Sequence, residues 1–278
     1  MAGRRARRAG ARAGHRGRRS RRARRAVPSR PRRRRARVRG CLVSVRPRAL
    51  VLQAPGTNRD HDAVFALELA GADASIASLL DLADDPAPLD AAQLVVVAGG
   101  FSHADALGAG RMFALSLDQV IGDRLRAFVD SGGPVIGICN GFQTLVRAGL
   151  LPGALGHNAS GSFQCEWVTL DPQPGVCVWT EGVEPVDCPI AHGEGRYVHP
   201  DVAELERNGQ VALRYRRNPN GSDADIAGVC DPTGVVLGLM PHPENHVIAR
   251  QHPLHVRGGG GGLGLQLFRR GVEHTRRS

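Results

Sequence analysis

Two short runs of apolar, mostly β-branched residues constrain the fold of this chain more than any other sequence feature. Residues 94–98 read LVVVA and residues 134–138 read PVIGI, and a glycine follows each run within three residues. Such continuous runs are typical of strands that are buried on both faces of a parallel sheet. A helix is predicted between them over residues 117–130. Because parallel strands need a crossover connection, the pattern predicts an α/β fold with a parallel sheet.

The same alternation continues on both sides of these runs. A strand is predicted over residues 49–54, a helix over 60–70 and a second helix over 140–148. After Pro152 the sequence changes to short strand-like pieces between turn residues. These pieces cover residues 166–170, 188–191, 211–215, 226–229 and 235–240. The glycine run 258–262 is interpreted as a flexible linker to a last segment, and one compact domain is predicted over residues 49–278.

Charge is distributed very unevenly along the chain. Residues 1–48 contain 21 of the 37 basic residues and no acid, whereas the remainder carries 16 arginines against 26 acids, a net charge of −10. The low-complexity Arg, Ala, Gly and Pro content of residues 1–48 predicts a disordered extension. Three interpretations stay open: an arm that binds nucleic acid nonspecifically, a transit peptide, or translated GC-rich DNA upstream of the true start codon.

Composition excludes several classes of protein. No apolar run is long enough to span a bilayer, so no membrane association is expected. The six cysteines form no C-x-x-C pair, which argues against a zinc site, and their scatter favours a reducing cytoplasm. The chain contains no lysine and no G-x-x-x-x-G-K-[ST] sequence, so it is not expected to use ATP itself.

The sequence Gly137-Ile138-Cys139-Asn140-Gly141 lies between a predicted strand and a predicted helix. A nucleophile in such a sharp turn needs glycines two residues before and after it, where side chains would collide. The helix that follows directs its positive end at the sulfur, which favours the thiolate. The N–H of Asn140 is then a natural oxyanion donor. The alternative is a buried structural cysteine in an ordinary strand-to-helix turn.

A cysteine nucleophile needs a base, and the base needs a group that orients it. Pro241-His242-Pro243-Glu244 offers both directly after the predicted strand 235–240. Residues i and i+2 of an extended segment point the same way, so His242 and Glu244 project together. The other late histidines, at positions 246, 252 and 255, are interpreted as surface residues without a role.

Two glycine-containing segments are further candidates. Gly99-Gly100 follows the buried strand 94–98, where a permissive backbone could turn an N–H toward a ligand or simply form a turn. Residues 190–197, IAHGEGRY, place three ionisable groups and an aromatic ring around two glycines. This concentration of functional groups is unusual for a plain turn.

These segments together resemble a known family. The sequences AGGFSHAD (98–105), GICNGFQ (137–143) and GLMPHPEN (238–245) are similar to those of the class I glutamine amidotransferases. PIAHGEGRY (189–197) and NPNGS (218–222) resemble in particular the glutaminase subunits of phosphoribosylformylglycinamidine synthase. The resemblance covers residues from about 49 to the end.

The resemblance implies a flavodoxin-like domain, with a mostly parallel sheet flanked by helices, and a catalytic triad of Cys139, His242 and Glu244. Cys139 is expected to attack the side-chain amide of glutamine, with His242 as base and then acid and Glu244 orienting it. The resemblance further assigns oxyanion-binding or substrate-binding roles to Gly100, Asn140, Gln143, His192, Gly193 and Glu194.

The resemblance also implies partners. Ammonia would pass to a separate synthetase subunit that uses ATP and magnesium in purine biosynthesis, with a small third subunit bridging the two. No cofactor or metal is expected in this chain. Two alternatives remain: a glutaminase or Cys-His hydrolase that serves another synthetase, and a nucleic-acid-binding protein that acts through residues 1–48.

One stretch departs from the family pattern. Where the family usually has Tyr-Gly-Asp-Tyr-Leu-Arg, residues 103–108 read HADALG. The missing arginine removes any contact that it makes in the family. Arg111 is near enough in sequence to replace it.

Overall fold

The computed structural model describes residues 46–277. The extension predicted for residues 1–48 therefore lies outside the described residues, apart from its last three. Arg46 donates a hydrogen bond to the carbonyl oxygen of Glu68 (2.8 Å), and Arg48 is the first residue of a strand. The folded part thus includes residues just before the predicted boundary.

A single large sheet organises the described residues. Across its nine strands the order is β2 (Asp73–Ser78), β1 (Arg48–Gln53), β3 (Leu94–Val97), β4 (Val135–Ile138), β11 (Val236–Leu239), β10 (Ile226–Cys230), β9 (Val211–Tyr215), β6 (Gln164–Pro172) and β7 (Val186–His192). The first five strands are parallel, and each later strand is antiparallel to its neighbour. The predicted α/β fold with a parallel core is confirmed.

Helices and a small second sheet complete the domain. The helices are α1 (Asp60–Ala70), α2 (Leu79–Asp84), α3 (Ala87–Asp90), α4 (Arg111–Asp130), α5 (Asn140–Arg147), α6 (Val202–Arg207) and α7 (Leu265–His274). Strands β5 (Ala154–Gly156) and β8 (Arg196–Val198) form the small antiparallel sheet. No helix within residues 46–277 has the length and apolar content needed to cross a membrane.

Complete burial explains the apolar runs that predict the central strands. All four residues of β3 and all four of β4 are buried, because neighbouring strands cover their edges and helices cover their faces. Burying a side chain as large as valine or leucine contributes roughly 1.5–3 kcal/mol. A polar residue in these runs would lose that contribution and its hydration together.

The register of β4 and β11 determines where the site lies. Ile138 pairs with Leu239 in parallel, so both strands end at the same edge of the sheet. The segment after β11 also contacts β7, since the N–H of His242 donates to the carbonyl oxygen of Pro189 (2.9 Å). The carboxyl ends of two adjacent parallel strands thus meet at one edge, the usual position of a ligand site in such sheets.

Several features differ from the sequence-based expectation. Helix α4 begins at Arg111, six residues before the predicted start, and β2 was not predicted. The end of the glycine run 258–262 is not a free linker, because the carbonyl oxygen of Gly262 accepts a hydrogen bond from the N–H of Asp187 (2.9 Å). A Cβ at Gly262 would overlap the backbone carbonyl oxygen of Pro185, so this position needs glycine for close packing.

Candidate active site

Cys139 occupies a sharp turn between β4 and α5. Its backbone has φ 51° and ψ −106°, a left-handed conformation that costs a non-glycine residue roughly 1–3 kcal/mol. The N–H of Cys139 donates to Leu239 O (2.8 Å), and its carbonyl oxygen accepts from the Gln143 N–H (3.1 Å). The strained residue is therefore held by the neighbouring strand on one side and by the first turn of the helix on the other.

The glycines two residues before and after Cys139 are required by packing. A Cβ at Gly137 would lie 2.5 Å from Leu145 Cδ1 and 2.7 Å from the carbonyl oxygen of Gly141. A Cβ at Gly141 would overlap the carbonyl oxygen of Val97 in β3. Helix α5 thus begins in direct contact with the sheet.

Gly141→Ala should destabilise the protein because α5 must move away from β3. Overpacking of this kind costs about 3 kcal/mol, which corresponds to a melting temperature lower by roughly 6–12 °C for a domain of this size. Gly156→Ala is the matched control, since nothing lies within 4 Å of its added Cβ. Thermal unfolding followed by circular dichroism measures both. Equal melting temperatures for the two variants would contradict the packing argument.

His242 lies beside Cys139 at the sheet edge. A Cβ built on Gly99 would lie 3.0 Å from His242 Cε1 and 3.5 Å from Cys139 Cβ, so one small space borders all three residues. His242 is 4% exposed and Cys139 is 5% exposed. The parallel register of β4 and β11 therefore brings the predicted nucleophile and base together.

The carboxylate of Glu244 lies against the imidazole of His242. Its Oε1 lies 2.6 Å from His242 Nδ1, and the carboxylate is completely buried. Burial alone would lower the pKa of His242, but the negative charges of Glu244 and Cys139 outweigh it and raise that pKa to about 10. A protonated His242 can donate a proton to a leaving group once the thiolate has attacked.

Two backbone N–H groups near Cys139 are available to an oxyanion. Asn140 is the first residue of α5, and Gly100 has a φ of 146° that strongly favours glycine. Among residues 46–277 neither N–H has a hydrogen-bond acceptor, whereas the Phe101 N–H already donates to Gly56 O (3.1 Å). Both predicted donors are thus free to bind a negative oxygen.

The side chain of Asn140 fixes the loops around the cysteine. Its Oδ1 accepts from Ser102 Oγ (2.5 Å), and its Nδ2 donates to Asp105 Oδ1 and to Gln143 Oε1 (both 3.1 Å). Gln143 Nε2 then donates to the carbonyl oxygen of Glu194 (2.6 Å). Both ends of the Gln143 side chain are therefore engaged within the protein. In this arrangement Gln143 ties α5 to the 192–195 loop.

The loop after β7 is held by Asn158. Asn158 Oδ1 lies 3.1 Å from His192 Nδ1 and accepts from the Gly195 N–H (3.0 Å), and its backbone N–H donates to Gly193 O (3.0 Å). The Glu194 carboxylate accepts a long hydrogen bond from the Ala109 N–H (3.4 Å). Burial, together with the charge of His242, lowers the pKa of His192 to about 4.

Several of these residues were missed by sequence reasoning. Ser102 and Asp105 lie within the stretch that carries the family resemblance, but no local pattern assigns them contacts with Asn140. Pro189 also lies in a segment of the family resemblance, but no local pattern assigns it the contact with His242. Asn158 has no sequence signal, because only the folded chain brings it to the site. Residues 103, 104, 105 and 107 also have positive φ values (51–65°), which marks a strained loop next to the site.

The low pKa of His192 predicts a loss of stability in acid. Below its ordinary value of 6.5 the unfolded chain binds a proton at this residue, while the folded chain does not do so until about pH 4. Unfolding free energy should therefore fall as the pH falls through this window, by about 3 kcal/mol in total. Urea unfolding between pH 7 and 4 should show a shallower decline for His192→Gln than for the exposed-site control His255→Gln. Parallel curves would contradict the assignment.

Two histidines interpreted as surface residues are in fact buried. His246 is 1% exposed and His252 is 9% exposed, and both rings pack on Trp167 with centroid distances of 5.2 and 4.3 Å. His246 Nδ1 lies 2.5 Å from the carbonyl oxygen of Asp187. His255 is exposed, as expected. Tertiary packing around Trp167, which no local pattern reveals, buries the first two.

The described residues contain no group of three or more His, Cys, Asp or Glu side chains arranged to hold a metal ion. The five cysteines among them are all free, and Cys165 is the exposed one. The site itself presents a strained cysteine, a buried His–Glu pair and two free N–H donors. Such a set suits nucleophilic acyl transfer through a thioester.

The comparison with protein families agrees with this chemistry. A family model described as a CobB/CobQ-like glutamine amidotransferase domain matches residues 46–275. The chain therefore belongs to the glutamine amidotransferase family, as the sequence motifs predict.

Named relatives narrow the family further. The chain is 42% identical over 269 residues to the phosphoribosylformylglycinamidine synthase subunit PurQ of Treponema denticola. The alignment covers 83% of this chain and 100% of that protein. It is 44% identical over 210 residues to the protein of the same name in Mycobacterium bovis, covering 73% and 89%.

Solved structures were compared with the chain as well. A chain in the structure of PurLQS from Thermotoga maritima is 38% identical, with a TM-score of 0.69, covering 82% of this chain and 98% of that chain. A putative GMP synthase protein from Thermoplasma acidophilum, at 14% identity and a TM-score of 0.54, covers 83% of this chain and 95% of that chain and shares the fold alone.

Proposed function

We propose that this chain is the glutaminase subunit of a phosphoribosylformylglycinamidine synthase and supplies ammonia from glutamine for purine biosynthesis. Relatives of that name match it over nearly their whole length. The observation that carries the proposal at atomic level is the placement of Cys139 and His242 at the ends of adjacent parallel strands, with Glu244 2.6 Å from His242 Nδ1.

In the first half-reaction, Cys139 Sγ attacks the side-chain amide carbon of glutamine. The amide oxygen becomes an oxyanion that accepts hydrogen bonds from the N–H groups of Gly100 and Asn140. His242 donates its proton to the amide nitrogen, the C–N bond breaks, and ammonia leaves. The product on the enzyme is a γ-glutamyl thioester of Cys139.

In the second half-reaction, neutral His242 takes a proton from water, which attacks the thioester carbonyl. The same two N–H groups stabilise the second oxyanion, and cleavage of the C–S bond releases glutamate and the Cys139 thiolate. Glu244 keeps Nδ1 protonated and holds the ring orientation through both steps. His192, Gly193, Glu194 and Gln143 shape the pocket around the substrate rather than exchanging protons.

The ammonia serves a partner. We assign the use of ATP and magnesium to a separate synthetase subunit rather than to this chain, in keeping with the absence of lysine and of a P-loop sequence. A small third subunit is proposed to bridge the two. Catalysis by a free thiolate, and the free state of the five described cysteines, agree with a reducing cytoplasm as the site of action.

Glutaminase activity is expected to be weak in the isolated chain and at least about tenfold higher in the complex. The candidate oxyanion donor Gly100 lies in a glycine-containing loop whose orientation partner binding can select, and one lost donor costs roughly two to three orders of magnitude in rate. Glutamate release is measured for the chain alone and then with synthetase, acceptor substrate and ATP. Equal rates would favour a free-standing hydrolase over the proposed subunit.

A further inference from the structure

A basic groove lies on the surface beside the active-site loops. It runs along the side of α4 and reaches the C-terminal end of α5, with a volume of about 430 Å³. Its charged lining is Arg111, Asp118, Arg126 and Arg147, which we call the arginine groove. The net charge of these four side chains is +2, although the net charge of residues 49–278 as a whole is −10.

Two of these arginines have no acidic partner. Arg126 pairs with Asp118 at 2.6 Å, but within residues 46–277 no carboxylate lies within ion-pairing distance of Arg111 or Arg147. Their guanidinium groups are nevertheless positioned: Arg147 Nε donates to Ala109 O (2.9 Å) and Arg111 Nη1 donates to Leu107 O (3.3 Å). Each keeps further N–H donors for an external acceptor, and a guanidinium fork matches a carboxylate geometrically.

Exposed leucines border the arginine groove. Leu107 is 73% exposed and Leu115 is 53% exposed, and Arg111 lies between them in sequence. Arginine is enriched at protein–protein interfaces, and the exposed aliphatic side chains beside it add apolar surface that a partner can bury. Asp118 in the same lining disfavours a small, highly charged phosphate compound. A protein surface with both acidic and apolar side chains fits the groove better.

The loop that the two arginines hold is also part of the active site. Asp105 in this loop accepts from Asn140 Nδ2, and the Ala109 N–H donates to the Glu194 carboxylate. Residues 103, 104, 105 and 107 have positive φ values, so the loop is under backbone strain that its surroundings must hold in place. An occupant of the arginine groove would therefore act directly on a segment that contacts both α5 and the 192–195 loop.

We propose that the arginine groove is the docking surface for a carboxylate-bearing patch of the synthetase subunit, an inference that rests on the proposed function. Arg111 and Arg147 bind the partner's carboxylates, and Leu107 and Leu115 bury apolar surface beside them. Docking at this position holds the loop from residue 103 to residue 110 against the active site.

The test measures binding of the purified chain to the synthetase by biolayer interferometry at several salt concentrations. Arg111→Glu should raise the dissociation constant by roughly tenfold or more and should make it less dependent on salt concentration. Arg147→Gln should also weaken binding. Arg250→Glu, an equal charge change at an exposed position far from the groove in sequence, is the matched control and should bind like the wild type.

Thermal unfolding of each variant shows whether it is folded, and Arg111→Glu is informative even if Arg147→Gln proves unstable. Wild-type affinity and salt dependence in folded Arg111→Glu would overturn the docking proposal. So would binding of inorganic phosphate that Arg111→Glu abolishes while synthetase affinity stays unchanged, because the groove would then take a small anion. Failure of the wild-type chain to bind the synthetase at all would instead count against the proposed function.

Discussion

Replacing Cys139 with alanine is expected to abolish glutamine-dependent synthesis by the assembled complex while leaving ammonia-dependent synthesis intact. Only the glutaminase half needs the thiolate, because added ammonia enters the reaction after the thioester step. Loss of a nucleophile of this kind lowers the rate by on the order of 10⁴-fold or more. The two activities are measured on the same reconstituted complex, with glutamine or an ammonium salt as the nitrogen source.

Cys165→Ala is the control for this experiment, since Cys165 is an exposed free cysteine and lies in β6, outside the site. It should retain both activities. Loss of both activities in Cys139→Ala would mean that Cys139 is needed for folding or assembly and would contradict its role as nucleophile.

Replacing His242 with alanine should approach the effect of Cys139→Ala. Without His242 nothing protonates the leaving nitrogen in the first half-reaction or activates water in the second. Glu244→Gln should be less severe, retaining roughly ten- to a hundredfold more activity than His242→Ala, because it affects the orientation and charge of a base that is still present. Steady-state glutamate release by the complex measures all three variants.

His246 offers a comparison for this second prediction. It is buried like His242 but contacts the carbonyl oxygen of Asp187 and the ring of Trp167 rather than the cysteine. His246→Ala should lower stability and leave the turnover of the folded fraction largely intact. Near wild-type turnover in His242→Ala, with a large loss in His246→Ala or His192→Ala, would require a different base.

The sequence predicts best those elements whose burial leaves a simple pattern. Strands β3 and β4 are apolar at every position, and α1 is predicted at its observed bounds. Strand β2 was missed because its sequence, DASIAS, is small and half polar, as expected at the edge of a sheet. The start of α4 was missed because Gly108 and Gly110 suggest a loop, whereas the helix begins directly after Gly110 (φ 73°).

In the candidate site, too, some residues can be recognised from local sequence and others cannot. Cys139 is recognisable from its two flanking glycines, and His242 and Glu244 from a spacing of two after a strand. These patterns reflect local geometry. The contacts of Asn158, and the hydrogen bond from Gln143 to Glu194, depend on segments far apart in sequence, so no local pattern specifies them.

Labelling with a chloroketone analogue of glutamine is the most direct test of the central claim that Cys139 is the nucleophile of a glutamine site. The thiolate should displace chloride and form a thioether, and peptide mass mapping should place the adduct on Cys139 alone. Glutamine should slow the labelling, and His242→Ala should slow it further. Modification of the exposed Cys165 with Cys139 left unmodified, or labelling that glutamine does not affect, would contradict the account.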